Sequence, residues 1–403
     1  MSQQGISSGP EAVLVRYGEL ALKGDNRGEF EQALVRNIRA ALEGVVAARV
    51  ERAHGRIFVF PEGRVEAAAR RLQRVFGIAS VSPAWGAPST PEAIERAARP
   101  VLEEAFAELP VGRKVPVRIE TNRVDKKFPL PSNALDRRVA MHILRDDDPI
   151  VVELNHPELV LGIEVRAERT WLFAQRYPGP GGLPVGTLGR VVCLISGGID
   201  SPVAAWMAMK RGCEVLYVTF HSHPYIGDNA KKKVIDLVRV LAPWQRASRL
   251  YVVPFAQAQL AIKAIGQDEY RTVLYRRMMQ RIASRVAARE HAKALVTGEC
   301  VGQVASQTLE NLACIGAAAS LPVLRPLVSF DKHETIARAI ALGTYALSAV
   351  QEPDCCTLFM PRRPVIRGKL EVCETLEARL DVPALVEDAL ARAEILDLTP
   401  SGW

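Results

Sequence analysis

The sequence predicts an α/β chain in which small α+β modules come first and a doubly wound parallel sheet follows. Three observations predict it. After residue 190, short apolar runs alternate with helical periodicities, and such alternation builds parallel sheets covered by helices on both faces. A proline- and glycine-rich run, Tyr177 to Gly189 (YPGPGGLPVGTLG), precedes that half, as a linker or inter-domain loop would. Before it, strand and helix patterns follow one another in a less regular order.

Val13 to Tyr17 reads as a strand. Phe30, Leu34, Ile38 and Leu42 recur at spacing four and so share one face of a helix. Arg56 to Phe60 reads as a strand, and Leu72, Val75 and Phe76 mark the apolar face of a second helix. Ile94, Ala98, Val101, Ala105 and Leu109 predict a helix interrupted or bent near Pro100. Val115 to Thr121 alternates as a strand does, and Ser132 is placed to cap a helix reaching Leu144. Val160 to Val165 and Thr170 to Ala174 form a hairpin around Ala167 to Arg169.

In the second half, strands are expected at Val191 to Ile195, Glu214 to Thr219, Leu250 to Val253 and Ala294 to Thr297. Helices are expected from Ser201, from Asp228, from about Glu269 and near Leu385 to Leu396. Ligands of such sheets bind at the carboxyl ends of the strands.

Composition narrows the class. With 403 residues, 48% of them hydrophobic, the chain can bury two or three cores. No apolar stretch approaches the ~20 residues of a membrane span, and the polar start, Met1 to Pro10, lacks a signal pattern. A cytoplasmic chain with no membrane partner is expected. Seven cysteines do not make a disulfide framework. Cys193, Cys213, Cys300 and Cys314 sit among apolar or small residues and read as core thiols. The net charge of +7 leans towards a polyanionic partner, although a solvated surface carries such a charge as well. Runs such as Lys231 to Lys233 and Arg362 to Arg363 read as solvated faces.

The chemistry concentrates in Ser196-Gly197-Gly198-Ile199-Asp200-Ser201, which follows a buried-strand pattern directly. Pro202 suits the first turn of the helix after it. Glycines let backbone approach an anion, and the free N–H groups of a helix N-terminus attract negative charge. Asp200 is the odd member, because a carboxylate beside a phosphate needs a cation between them, which suggests Mg²⁺. A plain strand-to-helix turn with Asp and Ser caps is the competing reading. The glycines of Tyr177 to Gly189 fit no phosphate-binding spacing and precede a strand rather than follow one.

The hexapeptide resembles the loop of the N-type ATP pyrophosphatases, which cleave ATP between the α- and β-phosphates. Further runs match tRNA 4-thiouridine synthetases in family order: Gly18 to Arg27 (GELALKGDNR), Gly298 to Gln307 (GECVGQVASQ), Leu324 to Val328 (LRPLV) and Pro353 to Cys356 (PDCC). The resemblance covers nearly the whole chain. It implies a ferredoxin-like domain at 1–63, a THUMP RNA-binding domain at 64–176 and a PP-loop ATP pyrophosphatase domain at 177–403.

It also implies roles. Leu194, Ile195, Ser196, Gly197, Gly198, Ser201, Thr219, Phe220, Arg276, Gly298 and Gln307 would form the ATP pocket, with Asp200 as catalytic and metal-binding carboxylate. Lys332 could neutralise phosphate charge in the transition state; a solvated lysine at a helix start is the competing reading. Cys356 matches the family's sulfur-bearing position better than Cys355, its candidate resolving partner, and the absence of a second cysteine pair argues against zinc. Substrates and partners implied are ATP with Mg²⁺, tRNA, and a cysteine desulfurase or other persulfide donor, with a homodimer as assembly. With the sequence ending at Trp403, no room remains for the rhodanese domain of some relatives, so direct persulfide delivery to Cys356 or Cys355 is expected. The activity implied is 4-thiouridine formation at tRNA uridine 8. Sulfur transfer in thiamine thiazole synthesis and RNA binding with a vestigial ATP site are the alternatives.

Overall fold

The computed structural model describes residues 5–106, 113–144, 150–353, 355 and 358–399. The chain forms two units that divide between Gly182 and Leu183, inside the proline- and glycine-rich run.

The first unit contains β1 (Ala12–Tyr17), α1 (Arg27–Leu42), β2 (Ala48–Ala53), β3 (Arg56–Pro61), α2 (Val65–Leu72), β4 (Ile78–Ala87), α3 (Pro91–Phe106) and β5 (Val115–Arg123). α4 (Ser132–Ile143), β6 (Ile150–Val152), β7 (Leu159–Val165), β8 (Thr170–Phe173) and β9 (Tyr177–Pro178) complete it. One sheet runs β2-β3-β1-β4-β8-β7-β5-β6, with β9 added on β4. The expected hairpin is present, pairing Gly162 with Phe173. β4, which no expectation covered, is the hinge of the sheet: its first part pairs with β1 and its end with β8. α2 packs on α1, β1 and β4.

Two local expectations change. α3 continues through Pro100 without interruption, because its face of Ala97, Ala98, Val101 and Leu102 is fully committed to the core; Leu109 lies outside the described residues. Ser132 is the first helical residue of α4, not its cap. The cap position is Pro131, whose carbonyl accepts the N–H groups of Ala134 and Leu135.

The second unit contains β10 (Arg190–Leu194), α5 (Asp200–Lys210), β11 (Glu214–His221), α6 (Asp228–Leu241), β12 (Arg249–Pro254), α7 (Ala256–Ala264), α8 (Arg271–Arg289) and β13 (Ala294–Val296). α9 (Leu309–Gly316), β14 (Val323–Leu324), α10 (Lys332–Leu342), α11 (Tyr345–Ala349), α12 (Leu370–Glu377), α13 (Val382–Ala391) and β15 (Glu394–Asp397) follow. The strand order is β14-β13-β10-β11-β12-β15, parallel except for β15. The expected final helix therefore ends at Ala391. The residues after it pair antiparallel with β12, Leu396 opposite Leu250.

Strand alternation sorts the two faces. Val192, Leu216, Val218, Tyr251, Val253 and Leu295 share a core with α8. Their neighbours in sequence, such as Val191, Cys193, Val215 and Tyr217, are equally buried but lie outside that core. Helices accordingly pack in two groups: α5, α6, α10 and α11 in one, α7, α8, α9, α12 and α13 in the other. Chain order reverses at β10, with β11 on one side and β13 on the other. That is the switch point where such sheets open a crevice beyond their carboxyl ends.

α8 is tied to α12 by a buried ion pair. Arg277, 1% exposed, donates Nε to Glu377 Oε1 at 2.9 Å and Nη2 to Oε2 at 2.6 Å. Arg281 Nη2 adds a bond to Glu377 Oε2 at 2.7 Å. Burial pushes the Glu377 carboxyl up, but the guanidinium groups of Arg277 and Arg281 more than offset it, and it ends below its ordinary value of 4.5. Removing one partner of such a pair costs about 3–5 kcal/mol. We expect Glu377→Gln to lower the unfolding free energy by about that much at pH 7, read by urea denaturation. A loss under about 1 kcal/mol would reduce the pair to the worth of a surface bridge. A carboxylate held below its ordinary value contributes stability that is complete above pH 4.5 and fades as pH falls through the lowered value. Glu377→Gln should flatten that part of the pH profile.

Candidate active site

The loop expected to hold an anion lies at the switch point. β10 ends at Leu194, the loop follows, and α5 begins at Asp200 with Pro202 in its first turn. The loop is held by its own hydroxyls: Ser196 N–H donates to Ser201 Oγ at 2.9 Å, and Gly198 N–H to Ser196 Oγ at 3.3 Å. The N–H of Ile195 is spent in the sheet on Val218 O at 2.9 Å, so this residue can offer a nucleotide only its carbonyl.

The exit of β13 crosses this loop. A Cβ on Gly298 would stand 2.6 Å from Ser201 N and 2.7 Å from Asp200 C. Only a glycine lets the two backbones approach that closely.

These elements open an 860 Å³ pocket, a size suited to a nucleotide. Leu194, Ile195, Ser196, Gly197, Gly198, Asp200 and Ser201 line it from the first strand and loop, Thr219 and Phe220 from β11, Arg276 from α8, and Gly298 and Gln307 from the segment after β13. Every residue expected in the ATP pocket is thus in one wall or another. Phe220 is braced edge-on by Phe255, their centroids 5.1 Å apart. His221 lines the same wall, where burial holds its imidazole below the ordinary value against the opposing pull of Asp228.

Asp200 and Glu299 each have a cation beside them. Asp200 Oδ1 accepts from Lys332 Nζ at 2.8 Å and Oδ2 from Gln303 Nε2 at 3.3 Å. Lys332 is the first residue of α10, whose start is fixed by a capping box of Asp331 and Glu334. Lys332 is not itself in the pocket lining. Glu299, 5% exposed, joins Arg276 at 3.3 Å and Arg325 at 2.7 Å and accepts from Thr297 Oγ1 at 2.9 Å. Arg276 is therefore a half-buried wall residue, braced rather than loose. Glu299 and Gln303 were missed as functional residues, although both stand in the run Gly298 to Gln307, of which Glu299 is the one carboxylate.

The cysteines separate by environment. Cys193, Cys213 and Cys314 are buried, and burial alone pushes the Cys193 thiol up to about 12. Cys300 departs from the expected core placement: it is half-buried, with Sγ 3.0 Å from Phe330 O. Cys373, 0% exposed, is a further core thiol. Cys355 lines the pocket and is 7% exposed, its carbonyl held by Gln259 Nε2 at 2.7 Å. Cys356 lies outside the described residues. Among the described residues, no cluster of three or more His, Cys, Asp or Glu is arranged to hold a metal, and no helix is long and apolar enough to cross a membrane.

The arrangement can cradle a polyphosphate between a helix N-terminus and nearby cations. Known proteins are similar to this chain along most of its length. Residues 186–382 match the family model described as "Thiamine biosynthesis protein (ThiI)", residues 12–82 its ferredoxin-like domain, and residues 88–175 the THUMP domain. A probable tRNA sulfurtransferase of Moorella thermoacetica is 45% identical over 96% of this chain and 98% of its own length. One of Brevibacillus brevis is 44% identical over 96% of both. A crystal structure of a 4-thiouridine synthetase–RNA complex with bound ATP superposes with a TM-score of 0.88 at 36% identity, covering 96% of this chain and 99% of that one.

A methyl forced against backbone costs about 1–3 kcal/mol. Gly298→Ala should therefore weaken pyrophosphate binding by about tenfold or more in calorimetric titration, with far-ultraviolet circular dichroism unchanged. Undiminished binding would show that the contact between the two backbones is not needed for the cradle.

Proposed function

The chain belongs to the tRNA sulfurtransferase family, and from that premise we propose that it spends ATP to replace O4 of tRNA uridine 8 with sulfur, giving 4-thiouridine, AMP and pyrophosphate. The observation that carries the reading is that one pocket joins the Ser196–Ser201 loop to Cys355: an adenylating site and a sulfur-bearing thiol need a shared chamber.

In this reading uridine O4 attacks the α-phosphorus, and the bond to the bridging oxygen breaks. Pyrophosphate departs against the loop backbone and the α5 N-terminus. The terminal sulfur of a protein persulfide then attacks C4, and AMP leaves with O4. A second thiol attacks the carrier sulfur, closing a disulfide and releasing the thiolated base. An external thiol reduces that disulfide. Cys356 is the proposed carrier and Cys355 its candidate resolving partner, with the exchanged roles as the alternative, and the sulfur comes from a cysteine desulfurase or other persulfide donor. The place of Cys355 in the pocket lining supports it in one of these roles.

Arg276 and Lys332 are proposed to meet phosphate charge as it develops. Phe220 and Thr219 flank the adenine in this assignment, and Gln307 closes the pocket. A Mg²⁺ arriving with ATP would use the Asp200 carboxylate together with phosphate oxygens, the sparse protein donor set typical of that ion. Such an ion supplies charge neutralisation. Asp200 for its part gives up the Lys332 ammonium, which then turns to phosphate. We further propose that the first unit's modules, 1–63 and 64–176 by their expected limits, present tRNA to the 177–403 module within a cytoplasmic homodimer. The matching family model is described as a thiamine biosynthesis protein, and on that description we propose sulfur transfer in thiamine thiazole synthesis as the second reading.

The test is to incubate the protein with ATP-Mg²⁺, a persulfide source and unmodified tRNA. AMP release together with the near-ultraviolet absorbance of 4-thiouridine is the expected outcome. AMP without thiolated tRNA would move the acceptor to the thiazole, and no AMP under any condition would leave only RNA binding. Lys332→Met should cut AMP formation by about 10²–10³-fold. Cys355→Ala and Cys356→Ala should each abolish thiolation while AMP formation continues, and full thiolation by both variants would remove the cysteines from the mechanism.

A further inference from the structure

Lys233, which belongs to a basic run that reads as a solvated face, does not sit on one. It is half-buried in α6 and lines the pocket. Two features of its surroundings point in one direction. Its side chain covers the open face of Gly197: a Cβ placed there would meet Lys233 Cδ at 3.3 Å and Nζ at 3.4 Å. Its ammonium also donates to Ser348 O at 3.0 Å and to Val350 O at 2.6 Å. The same segment reaches the loop a second time, through Ser348 Oγ donating to Gly198 O at 3.3 Å.

We propose that Lys233 is a polyphosphate-contacting residue that also positions the segment from Ser348 to Val350, which precedes Cys355 in the chain. A phosphate cradled by Gly197 and Gly198 lies against this ammonium, whose point charge suits phosphate. The two carbonyls it holds now belong to the strap that leads to Cys355 at the pocket wall. Carbonyl and phosphate oxygens draw on the same three N–H donors, so arrival of the polyphosphate loosens the grip on the strap. ATP binding and the mobility of the cysteine segment are thereby coupled through one side chain. No covalent step is involved, only a change of hydrogen-bond acceptor.

The inference rests on the loop being an ATP site, and the experiment separates the two. Full-length wild type, Lys233→Met and Lys233→Arg are titrated by calorimetry with a non-hydrolysable ATP analogue and, separately, with AMP. A charge-assisted bond is worth about 1.5–3 kcal/mol, or roughly 10–100-fold in affinity. The expected result for Lys233→Met is that much weaker binding of the ATP analogue, AMP binding within about twofold of wild type, and partial rescue by Lys233→Arg. Alkylation of Cys355, followed by peptide mass spectrometry without nucleotide, should be faster in Lys233→Met than in wild type. In wild type the ATP analogue should speed it, and AMP should not. Equal loss of ATP and AMP affinity would mark a merely structural lysine and overturn the proposal. So would unchanged ATP affinity, or Cys355 alkylation indifferent to both the substitution and the analogue. A wild type that binds neither nucleotide would overturn the ATP reading itself, and this one with it.

Discussion

The site depends on a missing carbon. Where β13 ends, Gly298 lies so close to the backbone of Asp200 and Ser201 that any side chain would penetrate it. This contact is what converts a strand-to-helix turn into a walled cradle. The segment after Gly298 then brings Gln303 to Asp200 and puts Glu299 and Gln307 into the wall of the same pocket. Parallel topology makes the approach possible, because β13 returns beside β10 after the chain has wound outwards through β11 and β12. Two strand ends far apart in sequence thus leave the sheet as neighbours, and their loops meet above it.

Charge balance is the second constraint. Carboxylates repel a polyphosphate unless cations stand beside them, and two of those lining this pocket are Asp200 and Glu299. Each is matched by cations, Asp200 by Lys332 and Glu299 by Arg276 and Arg325. The arrangement is asymmetric. Glu299 is 5% exposed and fixed by two guanidinium groups and a hydroxyl, and charge held in so low a dielectric does not rearrange cheaply. The Asp200–Lys332 pair has side chains 24% and 41% exposed, where water weakens the attraction. Glu299 is thus suited to aim Arg276 permanently. Asp200 and Lys332 are suited to exchange partners when phosphate arrives.

How much of this was legible in the sequence follows from the range of the interactions. The loop, the strand before it and the helix after it are written in consecutive residues, and local periodicity with Pro202 suffices to place them. Strand-end residues such as Thr219 and Phe220 are legible once a parallel sheet is accepted, since topology puts all carboxyl ends on one edge. The resemblance supplied Arg276, Gly298, Gln307 and the cysteine pair. What stayed hidden or undecided is long-range. Lys332 is a candidate with a solvated lysine as the equal alternative, because nothing local reveals its hydrogen bond to Asp200 across 132 residues of chain. β4 escaped notice for a related reason: in Ile78 to Ala87 all but one residue is buried, so the alternation that marks a half-exposed strand is absent. β15 was taken for helix because its four residues extend the apolar rhythm of α13, and only pairing with β12 declares them a strand.

The geometry of the cysteine segment has a consequence for the order of events. Cys355 is nearly buried and anchored through Gln259, a residue with no exposure of its own. A thiol that must receive sulfur from another protein has to be reachable at some stage, and one that must deliver it to an activated base has to be shielded from water at another. A single rigid placement satisfies only the second demand. Among the contacts that hold the strap before Cys355 to the loop region are the Lys233 ammonium and the Ser348 hydroxyl, both close to the glycines that would cradle phosphate. If Lys233 contacts polyphosphate as proposed, release of the strap is easiest while those groups are occupied, and re-closure follows when pyrophosphate departs. Under the proposed roles of Lys233 and the cysteines, loading and delivery fall on opposite sides of the adenylation step, which would keep the reactive sulfur away from C4 until the oxygen there has become a leaving group.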